Sequence, residues 1–92
     1  MITVLFFSFF REIAGEREHD FLGPPNLDAL ARLLVERYGE KMQTELFPRK
    51  GESLSRELII MINGKHYAHT GWEKSPLQDG DTVALFPLLG GG

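Results

Sequence analysis

The sequence predicts a single α+β domain in which a mixed sheet of about five strands grips one main helix, as expected for one two-layer core. Three observations carry this expectation. The chain has 92 residues, enough for one modest core. Apolar runs at positions 2–10, 58–62 and 82–86 are rich in β-branched and aromatic residues. Between the first two lies a segment whose apolar residues recur at helical spacing.

The first run, Ile2 to Phe10, reads as a strand that is apolar on both faces and therefore central. Alternation sets Ile2, Val4, Phe6, Ser8 and Phe10 on one face and Thr3, Leu5, Phe7 and Phe9 on the other. Gly15 marks a turn. His19 to Leu22 then ends an antiparallel return strand before Gly23-Pro24-Pro25 breaks the pattern. Asn26 is a good N-cap and Asp28 suits a first turn. Leu27, Leu30, Ala31, Leu34 and Tyr38 form the apolar stripe of a helix that ends at Arg37 and Gly39.

Glu40 to Phe47 is expected to add a helical turn or two, and Pro48 to Ser55 to be an exposed, mobile connection. Leu58 to Ile62 is a buried-strand pattern closed by Asn63-Gly64, a strong hairpin signal, with Lys65 to Ala68 returning. Ser75-Pro76-Leu77 reads as a short turn and Asp79-Gly80 as a tight one. Thr82 to Phe86 is the last strand. Residues 1–86 then form the folded domain and 87–92 a flexible tail.

Composition narrows the functional classes. A formal charge of -3 with dispersed Lys and Arg offers no basic field for nucleic acid. No apolar stretch reaches membrane-spanning length and the start lacks the pattern of a leader, so cytoplasmic residence is expected. The absence of cysteine removes thiolate nucleophiles and cysteine-ligated metals. His66 and His69 lack a third ligand at convincing spacing, so no metal site is expected, and Asp79 and Asp81 read as turn residues. No triad, phosphate-cradling loop or bound cofactor is indicated.

Chemistry concentrates at the end, Pro87-Leu88-Leu89-Gly90-Gly91-Gly92. A triple glycine has no side chain to bury and loses much entropy when ordered, so one reading is a frayed terminus. The other reading is a reactive tail. Six residues beyond Phe86 reach about 20 Å when extended, and glycine threads a narrow channel while leaving a terminal carboxylate unhindered. Once activated as an acyl-adenylate, that carboxylate can accept sulfur as a thiocarboxylate. Sulfur would then ride on the backbone of a chain without thiols.

The ending Leu77-Gln78-Asp79-Gly80-Asp81, an apolar strand, Phe86-Pro87 and a final Gly91-Gly92 resembles the MoaD/ThiS family of ubiquitin-like sulfur carriers. Arg11-Glu12-Ile13-Ala14-Gly15 and Ile62-Asn63-Gly64 extend the likeness across nearly the whole chain. The resemblance is closest to small subunits of molybdopterin synthase. It implies a β-grasp fold and a protein that is not itself an enzyme. Gly92, assisted by Gly91, would be adenylated by a MoeB/ThiF-like adenylyltransferase that uses ATP and a sulfur donor. The thiocarboxylate would then serve a MoaE-like large subunit, which builds a pterin dithiolene. Leu5, Phe7, Phe86, Pro87, Leu88, Leu89 and Gly90 are the residues the resemblance assigns to partner binding.

For Leu5, Phe7 and Phe86, burial in a monomer core is the competing expectation, and for Arg11 and Glu12 a solvated strand edge is preferred to a partner contact. The segment from Glu40 to Glu57 is longer than in compact thiamine-pathway carriers. A ubiquitin-like modifier joined through Gly92 and a binding module with an idle tail are the alternative functions.

Overall fold

The computed structural model describes residues 1–49 and 53–88. Strand β1, Ile2–Phe6, alternates as its sequence requires: Ile2, Val4 and Phe6 are buried and Thr3 and Leu5 are half-buried. The expected strand to Phe10 is too long. The chain turns at Ser8, whose φ of 54° lies in the left-handed region that non-glycine residues rarely adopt. It then enters helix α1, Phe9–Ala14. The aromatic run Phe6-Phe7-Ser8-Phe9-Phe10 has no period of its own, so packing decided the boundary. In the helix Phe10 is fully buried and Phe9 is 43% exposed. Gly15 closes α1 in the left-handed conformation at φ 73°.

Strand β2, Glu18–Phe21, returns antiparallel to β1, so the expected pairing holds although α1 joins the two strands in place of a tight turn. Helix α2, Leu27–Tyr38, begins where expected: the Asn26 side chain accepts the Ala29 N–H at 2.8 Å. Helix α3, Glu40–Leu46, follows directly and buries Met42 and Leu46. Strand β3, Ile59–Ile62, turns through Asn63-Gly64 into β4, Lys65–His66. Two short 3-10 turns follow, Tyr67–His69 and Trp72–Lys74, so β4 is shorter than the expected Lys65–Ala68.

Strand β5, Thr82–Phe86, lies parallel to β1 and antiparallel to β3, in a sheet of order β2-β1-β5-β3-β4. The last strand in sequence thus occupies the centre of the sheet. Its inward residues Val83 and Leu85 join Phe6, Ile60, Leu30, Leu34 and Met42 in one core. This is the mixed five-stranded β-grasp arrangement.

Two connections are more ordered than their composition suggests. Within the stretch expected to be an exposed, mobile loop, residues 50–52 lie outside the described residues, but Leu54 is only 2% exposed. The Ser55 N–H donates to the Leu46 carbonyl, and the buried Tyr67 hydroxyl donates to the Ser55 carbonyl at 2.7 Å while accepting the Leu58 N–H at 3.4 Å. One buried aromatic thereby fixes the entry to β3. Ser75, expected in a simple turn, is fully buried. Its carbonyl accepts the Leu27 N–H, and Pro76 bridges Asn26. The segment before β5 is sewn to the start of α2 because a buried backbone must find partners.

Candidate functional site

The side chains that leave β1, β5 and β3 away from the core meet on one surface. Register places Leu5 opposite Ala84 and Ala84 opposite Met61, and Phe86 opposite Ile59. Phe7 follows β1 and stacks on Phe86, with ring centroids 4.4 Å apart and planes within 10°. Leu5, Phe7, Ile59, Met61, Ala84 and Phe86 are all half-buried, in contrast to the fully covered residues that alternate with them. The structure therefore brings Leu5, Phe7 and Phe86 together and removes them from the monomer core. It adds Ile59, Met61 and Ala84, which sequence reading did not assign. Their signal was the two-residue period of Leu58 to Ile62 and of Thr82 to Phe86, once Ile60, Val83 and Leu85 are known to point inward.

The exit from β5 lies at the margin of this surface. The Phe7 N–H donates to the Leu85 carbonyl at 3.1 Å, holding the two chain segments side by side as far as the stacked pair. Pro87 is half-buried and Leu88 is 55% exposed. Leu89, Gly90, Gly91 and Gly92, the remaining expected tail residues, lie outside the described residues. Arg11 is half-buried and donates through Nε to the Phe6 carbonyl at 3.3 Å, which ties it to the end of β1; Glu12 is exposed.

At the other end of β5, the two acidic turn residues have separate tasks. Asp81 accepts the Gln78 N–H at 2.8 Å and the Asn63 amide Nδ2–H at 2.9 Å, and Asn63 Oδ1 in turn accepts the Thr82 N–H at 2.9 Å. Asn63 itself holds φ at 50°, a conformation asparagine tolerates better than most residues. Asp79 pairs with the amino terminus of Met1, and the Gly80 N–H donates to the Met1 carbonyl. The Asn-Gly and Asp-Gly-Asp signals are thus one polar clasp that fixes where β5 begins. They act as turn and positioning chemistry, as their residue types suggested.

His66 and His69 do not assemble a site. Their rings are 6.3 Å apart, His66 Nδ1 faces the Ala68 N–H at 3.0 Å, and no group of three or more potential metal ligands stands together among the described residues. A polar cluster joins β2 to the end of α2. Tyr38 donates to Glu16 Oε2 at 2.6 Å, and His19 and Arg37 approach the same carboxylate at 3.3 and 3.7 Å. The Tyr38 bond, ahead of His19 and Arg37, holds the Glu16 carboxyl below its usual range. Burial, with the Glu16 contact second, pushes the Tyr38 hydroxyl up to about 12. This cluster serves the fold.

What remains is a small sheet with an apolar outer face, a central last strand, and a glycine-ended segment leaving that strand. A model of the ThiS family matches residues 4–92. The chain belongs to the ThiS family. Solved structures agree. Small archaeal modifier protein 1 from Methanosarcina acetivorans is 27% identical over 99% of this chain and 95% of its own, with a TM-score of 0.84. Urm1 from Trypanosoma brucei is 28% identical over 99% and 94%, with a TM-score of 0.76. A Pyrococcus furiosus chain described as molybdopterin converting factor subunit 1 is 28% identical over 94% of each chain, with a TM-score of 0.69. No curated protein matches the chain closely enough to count as a relative.

This ThiS-family chain is therefore a member of a group of small ubiquitin-like sulfur carriers and modifiers rather than enzymes. Among its described residues, no helix is long and apolar enough to cross a membrane.

Proposed function

We infer that this protein is a sulfur carrier that works as the small subunit of a molybdopterin synthase, with Gly92 as its reactive residue and Gly91 as the slender approach to it. The observation that carries the reading is the family match, which runs through residue 92, on a chain whose central strand leads straight into that segment. The Pyrococcus furiosus neighbour supports the pterin branch.

The chemistry needs no side chain of this protein. A Gly92 carboxylate oxygen attacks the α-phosphorus of ATP on an adenylyltransferase, and pyrophosphate leaves. Hydrosulfide supplied by the donor system then attacks the acyl carbon, AMP leaves and the proton is lost, giving the thiocarboxylate. The chain binds no cofactor in this scheme; ATP and the sulfur donor belong to the activating partner. A large synthase subunit then takes the tail: the thiocarboxylate sulfur bonds to a carbon of the pterin side chain as an oxygen substituent leaves, and water cleaves the acyl–sulfur bond, which returns the Gly92 carboxylate and leaves the sulfur on the future dithiolene. Leu5, Phe7 and Phe86 form the docking face, and Pro87, Leu88, Leu89 and Gly90 span the distance to the partner's active site. Both steps take place in the cytoplasm, where ATP is supplied.

The test is mass spectrometry after incubation with adenylyltransferase, ATP and a sulfur source. Exchange of oxygen for sulfur adds about 16 Da, as does one methionine oxidation, so the peptide of residues 75–92, which has no methionine, is the one to weigh. The shift is expected on that peptide and should vanish when Gly92 is deleted. An unshifted peptide would overturn the carrier reading. A second reading, a protein modifier joined to lysine through Gly92, is favoured by the likeness to small archaeal modifier protein 1. Isopeptide-linked adducts of the chain in cells would support it.

A further inference from the structure

Beside the outer face, at the root of the tail, lies a cleft of about 220 Å³ lined by Thr44, Glu45, Pro48, Ser55, Glu57, Leu58 and Leu88. It is built from the end of α3 and the connection that Tyr67 fixes. Its apolar part is Pro48, Leu58 and Leu88, and Leu88 leaves more than half its surface uncovered. Among the described residues of its lining the charge is of one sign: Glu45 and Glu57 are the ionisable ones, and neither has an ion-pair partner among the described residues.

We propose that this cleft seats a lysine or arginine side chain on the lip of the adenylyltransferase channel that receives the tail. The inference deepens the carrier reading and rests on it. Any channel that accepts Gly92 must close around Leu88, so its lip meets the residues that flank Leu88. The same channel must hold a carboxylate beside the phosphates of ATP, which demands positive potential at its floor and mouth. Two carboxylates without an ion-pair partner among the described residues, set over an apolar base, complement such a lip: the aliphatic stem of the cation lies on Pro48 and Leu58 while its head reaches the acids. The long segment from α3 to β3 thereby gains a purpose. It adds an acidic shoulder next to the tail, separate from the apolar docking face.

The experiment is ATP–pyrophosphate exchange by the adenylyltransferase, with intact carrier as the varied substrate. Glu57→Lys and Glu45→Lys are compared with Glu36→Lys, which makes the same charge change at an exposed position of α2 outside the cleft. Thermal unfolding first establishes that each variant is folded. The cleft variants are expected to raise KM about tenfold with kcat preserved, as for loss of a close charge pair. Added salt should raise the parent's KM and flatten the difference. Equal effects of all three variants would reduce the cleft to general steering and overturn the proposal, as would unchanged KM in both cleft variants. Either result with an active parent leaves the carrier reading standing, whereas a parent that supports no exchange would overturn both.

Discussion

At the centre of the sheet both faces are apolar, but they differ in fate. Inward, Val4, Phe6, Ile60, Val83 and Leu85 are covered by α2 and α3 residues such as Leu30, Leu34 and Met42. Outward, Leu5, Phe7, Ile59, Met61 and Phe86 are as apolar and remain half-exposed. Burial of an inward side chain is completed by folding. Burial of an outward one is not completed by folding, and in the proposed docking the area it would remove from water is available as binding energy. Apolar character alone therefore does not distinguish the core from the open face in this protein; the second layer does.

The sharpest way to break that contrast is to truncate one side chain on each face. Phe6→Ala should cost about 3–5 kcal/mol, because it removes a buried ring and leaves a cavity. Urea unfolding measures it, and a loss below about 1 kcal/mol would mean the inner face is not the core. The clasp at the start of β5 comes next. Asp81→Ala leaves the Asn63 amide and the Gln78 N–H without their acceptor and should cost about 1–2 kcal/mol in the same assay.

A smaller effect is expected at the cluster that anchors β2. Tyr38→Phe should lose about 1 kcal/mol near neutral pH, and it should also change the pH profile. The folded state raises the Tyr38 pKa from 10 to about 12, so this group's stabilisation is fully present below pH 10 and lost as pH climbs through 12. Glu16 is shifted down, chiefly by the Tyr38 bond, so its share is present above the unfolded carboxyl value and lost as pH falls. The phenylalanine variant should be flatter than the parent at both ends of a pH series of unfolding curves.

The smallest stability change is expected outside. Phe7→Ala should cost about 1 kcal/mol or less, for a ring already half in water. Yet it should impair the thiolation assay by tenfold or more if the outer face is the docking surface, since truncated aromatic anchors lose binding out of proportion to their area. Normal thiolation by a folded Phe7→Ala protein would separate the stacked pair from function.

Local chemistry fixed much of this in the sequence. The Asn26 cap and the stripe from Leu27 to Tyr38 specify α2, Asn63-Gly64 specifies the turn into β4, and the run from Thr82 to Phe86 is a strand at its observed limits. The glycine-ended segment marked the candidate reactive residue because no packing argument explains it. Each of these signals is carried by neighbours in sequence.

Other decisions belonged to the tertiary structure, because they depend on residues far apart. Whether Phe9 and Phe10 extend β1 or start α1 was settled by the left-handed turn at Ser8 and by which ring the core accepts. The order of the connection into β3 depends on a hydroxyl reaching from Tyr67 to Ser55. Which of two apolar faces stays open was decided by the side of the sheet on which α2 and α3 pack, a choice that alternation within a strand leaves symmetric.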